Sequence, residues 1–320
     1  MANPYVFVVG CPRSGTTLLQ RMLDSHPLLT VANDAHFIEY GIRGEDGDVP
    51  LTAKLVERVL SYRTFGRLGL SVEEARAAAR RATTYAEFVR TLFTALATKR
   101  NKSLAGEKTP HYVRFLPLLH GLFPQARFIH IIRDGRDVAL STLEWARPDR
   151  GPGRFRLWAS EPVAVCALSW RWHVATGRRD GSPLGQLYRE VRYEALLEDP
   201  ETILRELMDV IELPFAREML DYHRGKTRRD PGLTPKDAWL PPTLGLRDWR
   251  AQMALEDVEL FEALAGDLLS SLGYERAFST ITPEVDALAS RCRPAWEREL
   301  RTRRRRAASR LDPFPALEAQ

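Results

Sequence analysis

Gly10-Cys11-Pro12-Arg13-Ser14-Gly15-Thr16-Thr17 places two glycines five residues apart, with an arginine and three hydroxyls among them. A Gly-x-x-x-x-Gly loop between an apolar strand and a helix is the geometry of a phosphate cradle. Glycines admit close backbone approach, loop amides point inward, and the helix N-terminus attracts an anion. A nucleoside-triphosphate loop would continue with Lys and then Ser or Thr. Here the Lys position is Thr16, and no strand-end Asp of the magnesium-holding type follows clearly. The set Arg13, Ser14, Thr16 and Thr17 is therefore expected to hold a phosphate-like anion with no obligatory metal. Arg133-Asp134-Gly135-Arg136 is again a glycine turn between an apolar run and a helical stretch.

These residues need elements to position them. Tyr5-Val6-Phe7-Val8-Val9 is a continuous apolar run that reads as a buried parallel strand. Arg127 to Ile132, Gly185 to Val191 and the shorter Ser103 to Gly106 are the other strand candidates. Helices are expected at Leu18 to Ser25, after the Ser71-Val72-Glu73-Glu74 capping box, and at Glu87 to Thr98. Val163 to Thr176, Glu201 to Ile211 and Glu256 to Leu272 continue the series, and Thr109-Pro110 reads as a further helix start. Strands alternating with helices predict an α/β fold with a mostly parallel central sheet flanked by helices. Neighbouring parallel strands would bring the turns at 10–17 and 133–141 to one carboxyl edge, where open α/β sheets bind ligands. Residues 1–290 read as one domain with a helical insertion at 36–102 and a long Arg-, Pro- and Gly-rich loop at 145–160.

Three segments carry a family resemblance. Pro12 to Leu19, with Leu23-Asp24-Ser25-His26-Pro27 behind it, resembles the 5′-phosphosulfate loop of sulfotransferases that use PAPS (3′-phosphoadenylyl sulfate). Ile131 to Ser141 is similar to the family's 3′-phosphate segment, which implies Arg133 and Ser141 as the 3′-phosphate ligands. Val191 to Pro200 looks like the family's Tyr-Glu-x-Leu segment, which implies Tyr193 near the adenosine. The resemblance covers about residues 5–275, in the family's order, and is nearest to the tyrosylprotein-type and bacterial members. It implies a P-loop-like sulfotransferase fold, PAPS as co-substrate, and no metal. The cofactor-binding set is then Arg13, Ser14, Gly15, Thr16, Thr17, Arg133, Ser141 and Tyr193. Counting from His26-Pro27 to the family's catalytic carboxylate lands on Asp34, where the family more often has Glu; His36 is the competing base. Lys108, in Gly106-Glu107-Lys108-Thr109-Pro110, matches the family's cation near the sulfuryl group and would act with Arg13 on the leaving oxygen.

The implied reaction is in-line transfer of a sulfuryl group from PAPS to a hydroxyl, or an amine, of an acceptor. Carbohydrate, lipid, peptide and small natural product all stay open as acceptors. The residues leave two other readings: a P-loop kinase, and a non-catalytic protein that binds nucleotide.

Composition bounds the rest. The 320 residues are 44% hydrophobic and 28% charged, a globular balance. No apolar run approaches the roughly 20 residues that span a bilayer. Met1-Ala2-Asn3-Pro4 has no basic n-region, so no secretory signal is expected. Cys11, Cys166 and Cys292 are scattered and odd in number, which predicts a reducing, cytoplasmic setting with no disulfide framework or paired-cysteine metal site. The formal net charge of +5 is local in origin: residues 291–310 hold nine Arg and two Glu, and residues 1–290 sum to zero. The tail 291–320 is thus expected to be basic and helical, with an acidic surface as its possible contact, and no nucleic-acid partner is expected.

Overall fold

The computed structural model describes residues 5–41, 47–146, 151–224 and 247–310, the side chains of 304–310 excepted. The chain divides into two compact units, Met1–Ile132 with Gly177–Thr243, and Arg133–Thr176 with Leu244–Gln320.

The first unit holds a five-stranded sheet, all parallel, in the order β2-β3-β1-β4-β5. The strands are β1 (Val6–Gly10), β2 (Leu29–Asn33), β3 (Leu104–Lys108), β4 (Arg127–Ile132) and β5 (Tyr188–Arg192). β1 is apolar on both faces because both faces are covered. Tyr5, Phe7 and Val9 enter one core; Val6 and Val8 enter the other. On the first face pack α3 (Ala53–Leu60), α4 (Val72–Ala79), α5 (Tyr85–Lys99) and α6 (Leu116–Leu122), with Phe7 stacked on Phe128 at 5.5 Å. On the second pack α1 (Thr16–Asp24), α9 (Tyr193–Glu198) and α10 (Pro200–Ile211). α2 (Ile38–Gly41) follows β2. The expected helical insertion at 36–102 is α2 to α5 with a 3₁₀ turn at Phe65–Leu68, lying between β2 and β3.

The expected capping box at Ser71 is made, and a second forms at Thr84. The Ser71 hydroxyl accepts from Glu74 N–H while Glu74 accepts from Ser71 N–H, and Thr84 pairs in the same way with Glu87. Two elements differ from the sequence pattern. Thr109 does not cap a helix: its hydroxyl donates to Glu107 Oε1 at 2.7 Å, and Pro110–Arg114 forms a 3₁₀ turn before α6. β2 is a strand that local composition does not announce; its strand character comes from pairing with β3.

The strand order places β1 where the chain reverses direction across the sheet. From β1 it moves outward to β2, returns to β3, then crosses to β4 on β1's other side. Ligands of open α/β sheets bind at such a switch point, beyond the carboxyl ends of the strands.

The second unit comprises α7 (Gly135–Trp145), most of α8 (Pro162–Gly181), α11 (Trp249–Gln252), α12 (Leu255–Ser271) and α13 (Pro283–Arg310). Within it Arg136 is an internal strut. Its guanidinium donates to Asp134 Oδ1 and Oδ2, to Glu262 Oε1 at 2.6 Å and to Glu275 O, and lies 3.6 Å over the Trp249 ring. Removing one partner of so buried an ion set destabilises by roughly 3–5 kcal/mol. The basic stretch is the distal part of α13. Arg303 pairs with Glu299 and covers Phe155 at 4.4 Å; the side chains of Arg304, Arg305 and Arg306 lie outside the described residues. Two short 3₁₀ turns fill the expected 145–160 loop, of which 147–150 also lie outside them.

Candidate active site

At the end of β1 the chain turns through Gly10 to Gly15 and enters α1. Gly15 holds a left-handed backbone, φ 90°, and no side chain caps the helix. The first-turn N–H groups therefore have no intrahelical acceptor, and the helix end carries partial positive charge. Ser14 is 0% exposed, and among the described residues its hydroxyl has no hydrogen-bond partner. A buried hydroxyl left without a partner is costly unless a ligand completes it. A Cβ on Gly15 would stand 2.3 Å from Tyr193, so the tyrosine ring, from the start of α9, lies directly on the loop. Thr16 is buried in α1, and Thr17 and Arg13 are half-buried.

The Asp24 to Pro27 segment ties the end of α1 to β2 and to Pro214. Asp24 Oδ1 accepts from the Thr30 hydroxyl and Val31 N–H, both at 2.9 Å. His26 Nδ1 accepts from Leu28 N–H, which leaves Nε2 to donate to Pro214 O at 2.8 Å.

Asp34 and Lys108 stand at the carboxyl ends of β2 and β3. In the sheet register Asn33 faces Lys108, and Asp34 N–H donates to Lys108 O at 2.8 Å. Lys108 Nζ donates to Asp34 Oδ2 at 2.6 Å, and His36 Nε2 lies 3.5 Å from Asp34 Oδ1. Lys108 is 1% exposed and His36 6%, while Asp34 is 18% exposed, so the carboxylate is the reachable member. Burial alone would raise the Asp34 carboxyl. The Lys108 ammonium, followed by His36, outweighs burial and holds it well below the usual carboxylate range. Burial also draws the Lys108 ammonium down from its ordinary value, against the pull of Asp34.

Backbone strain collects at the same place. Among the described residues five non-glycines have positive φ, and three of them are Arg13 (73°), Asp34 (56°) and His36 (54°). Each such residue costs on the order of 1–3 kcal/mol and persists where its surroundings over-determine it. For His36 the surroundings include Glu107, fully buried, whose Oε1 accepts from His36 N–H at 2.9 Å; its Oε2 takes the Tyr112 hydroxyl at 3.2 Å. Burial raises the Glu107 carboxyl.

Glu107 was legible only as a neighbour of Lys108, and Glu39 carried no signal at all. Glu39 sits on α2 with Oε2 buried and, among the described residues, without a hydrogen-bond partner. Burial pushes its carboxyl from 4.5 up to about 7, against the charge of His36. The folded state thus holds this proton more tightly than the unfolded chain. The stabilisation is whole below about pH 4.5 and is lost as pH rises through about 7. Glu39→Gln removes the ionisation. Relative to wild type it is expected to gain roughly 1–3 kcal/mol between pH 5 and pH 8, after allowance for the partial exposure of the side chain. Urea titrations at both pH values check this; a gap that does not change with pH means that Glu39 is not desolvated.

In the second unit, Arg133 follows β4 directly. It is 8% exposed, donates to Asp137 Oδ2 at 3.3 Å, and its carbonyl accepts from Trp170 Nε1 at 3.1 Å. Ser141 is buried on α7. The first unit thus brings together Arg13, Ser14, Gly15, Thr16, Thr17 and Tyr193 around one loop, and Asp34, His36 and Lys108 at the neighbouring strand ends. Arg133 and Ser141 belong to the second. Among the described residues no group of three or more His, Cys, Asp or Glu is arranged for a metal, and no helix is long and apolar enough to cross a membrane.

The family model described as "Sulfotransferase family" matches residues 4–217. Nodulation protein NoeE of Sinorhizobium fredii is 28% identical over 293 residues, 85% of this chain and 66% of that protein. Protein-tyrosine sulfotransferase 1 of Danio rerio is 23% identical over 85% of this chain and 72% of its own length. Against the first relatives the chain is the shorter partner, spanning 27% of one and 66% of NoeE. The sulfotransferase domain of the Synechococcus PCC 7002 olefin synthase superposes with a TM-score of 0.59 at 23% identity, over 86% of this chain and 97% of that domain; the likeness bears on the fold.

Proposed function

The chain belongs to the sulfotransferase family, and from that premise we propose that it transfers a sulfuryl group from PAPS to a hydroxyl, or an amine, of its acceptor. One observation carries the reading: the Ser14 hydroxyl, fully buried and without a partner among the described residues, at the N-terminus of α1 that no side chain caps, in a glycine loop that has no lysine. This is a fit for a phosphate-type anion with no counter-cation of the triphosphate kind.

The residues divide the work as follows. The loop amides, Ser14, Thr16 and Thr17 hold the 5′-phosphosulfate, with Gly15 permitting close approach and the Tyr193 ring beside the adenosine. Arg133 and Ser141 take the 3′-phosphate. Asp34 accepts the proton of the attacking hydroxyl as the new oxygen–sulfur bond forms. The bond from sulfur to the bridging phosphate oxygen breaks, and Lys108 with Arg13 stabilises the charge left on that oxygen. Asp34 is favoured over His36 as base because it is the more exposed of the two, and because Lys108 keeps it ionised at every working pH. Adenosine 3′,5′-bisphosphate is the leaving product.

Calorimetry separates this reading from a kinase. Adenosine 3′,5′-bisphosphate is expected to bind more tightly than ATP. Arg133→Ala should weaken the bisphosphate roughly ten- to a hundred-fold and leave adenosine 5′-phosphate nearly unchanged, the loss of one charge-assisted contact. Turnover should survive EDTA. Preference for ATP, with an absolute Mg²⁺ requirement restored by titration, would favour the kinase; equal losses for both nucleotides would remove Arg133 from the 3′-phosphate.

A further inference from the structure

A cleft of about 510 Å³ opens in the first unit beside the edge strand β2. It reaches Asn33, which precedes Asp34 and faces Lys108 in the sheet register. Five cationic side chains and three acidic ones line it. Most of these charges are committed to one another. Arg100 donates to Asp24 Oδ1 at 3.2 Å and to the Thr30 hydroxyl at 2.8 Å. Lys102 donates to the carbonyl oxygens of Asp24 and Leu29, and Arg224 pairs with Asp221 at 3.4 Å. Glu218, the third acid, is exposed.

Arg67 stands apart from this set. It rises from the 3₁₀ turn at Phe65–Leu68, is half-buried, and among the described residues its guanidinium has no ion pair or hydrogen bond. Arg21, 9% exposed, lines the same cleft from α1. Both lie close enough to Lys108 that their charges help to draw its ammonium down. A guanidinium partly withdrawn from water with no acid opposite costs free energy until an anion arrives, and its planar fork suits carboxylate and phosphate. Asn33 Oδ1, buried and without a partner among the described residues, offers one acceptor for a ligand hydroxyl or amide.

We propose that this cleft receives the acceptor, and that Arg67, together with Arg21, binds an anionic group on it, a carboxylate or a phosphoryl-type group, while the nucleophilic hydroxyl reaches Asp34. The acceptor class is therefore a hydroxyl compound that already carries negative charge. The identification of the occupant as acceptor rests on the sulfotransferase reading above; the anion site itself rests only on the cleft.

The test uses the whole chain saturated with adenosine 3′,5′-bisphosphate, so that the nucleotide's own anion sites are filled. Inorganic phosphate and sodium acetate are then titrated separately by calorimetry. One further saturable anion site is expected. Arg67→Gln should weaken it ten- to a hundred-fold, Arg67→Lys should keep it within a few-fold, and neither should alter bisphosphate affinity. Binding of phosphate alone assigns a phosphoryl-type acceptor group; binding of acetate as well extends the class to carboxylates. Absence of a second site for either anion, or a second site indifferent to Arg67→Gln at unchanged melting temperature, overturns the proposal. Failure of the bisphosphate to bind is a separate result, against the nucleotide reading. The same titrations on the unliganded chain then decide the cleft by the sensitivity of the anion site to Arg67→Gln.

Discussion

Asp34→Asn is expected to lower the turnover rate by about 10²–10⁴, the usual worth of a general base. The amide keeps the shape of the carboxylate and removes its basicity. It also leaves the Lys108 ammonium, 1% exposed, without its 2.6 Å counter-ion, so part of the loss can arise through Lys108. Two measurements separate the causes. Affinity for adenosine 3′,5′-bisphosphate should change little, because an in-line acceptor lies on the far side of the sulfuryl group. The pair Asp34→Asn with Lys108→Met should be no slower than Lys108→Met alone if the lysine is the whole cause, and markedly slower if Asp34 also takes the proton. His36→Ala is expected to retain most activity. A dead His36→Ala beside a nearly normal Asp34→Asn exchanges the two roles, and loss of nucleotide binding in Asp34→Asn makes Asp34 a support of the loop.

Lys108→Met should cost about 10²–10³ in kcat, the loss typical of one preorganised donor at a developing charge. It should also change the pH profile. In the intact protein Lys108 holds Asp34 ionised far below neutrality, so Asp34 places no acid limb between pH 5 and 8. Without the ammonium, burial dominates and the carboxyl rises. Activity of the variant should therefore fall as pH drops through the new value, a limb that wild type lacks. A slower variant with an unchanged profile would keep Lys108 as the cation and remove Asp34 as the base. A variant with the full rate would remove Lys108 from the chemistry.

Sequence spacing reached most of these residues for identifiable reasons. The strand-to-helix loop at 10–17 was legible because two glycines and a run of hydroxyls stand between an apolar run and a helical stretch. β1 was legible because a strand covered on both faces is apolar at every position, and β4 because Phe128, Ile129, Ile131 and Ile132 keep it nearly so. The Ser71 capping box was legible because both partners lie within one turn. β2 escaped because its strand character depends on β3, more than seventy residues away. Glu39 and Arg67 escaped for a related reason. A single acid or base on a short turn has no pattern, and its burial or lack of a partner is a property of what packs around it.

By itself, then, the sequence determined the alternation of strands and helices, the glycine loop between β1 and α1 and the residue types available at the strand ends. All of these follow from interactions across a few residues: side-chain period, glycine freedom and helix capping. Only the tertiary structure decided that Lys108 is buried against Asp34 rather than paired with Glu107 on the surface, and that Glu107 holds the backbone of His36. It also decided that Arg136 braces its unit through Asp134 and Glu262. These pairings join residues two to well over a hundred positions apart. Which carboxylate meets which cation is set by strand register and by the cost of leaving a buried charge alone, and neither quantity exists until the chain has packed.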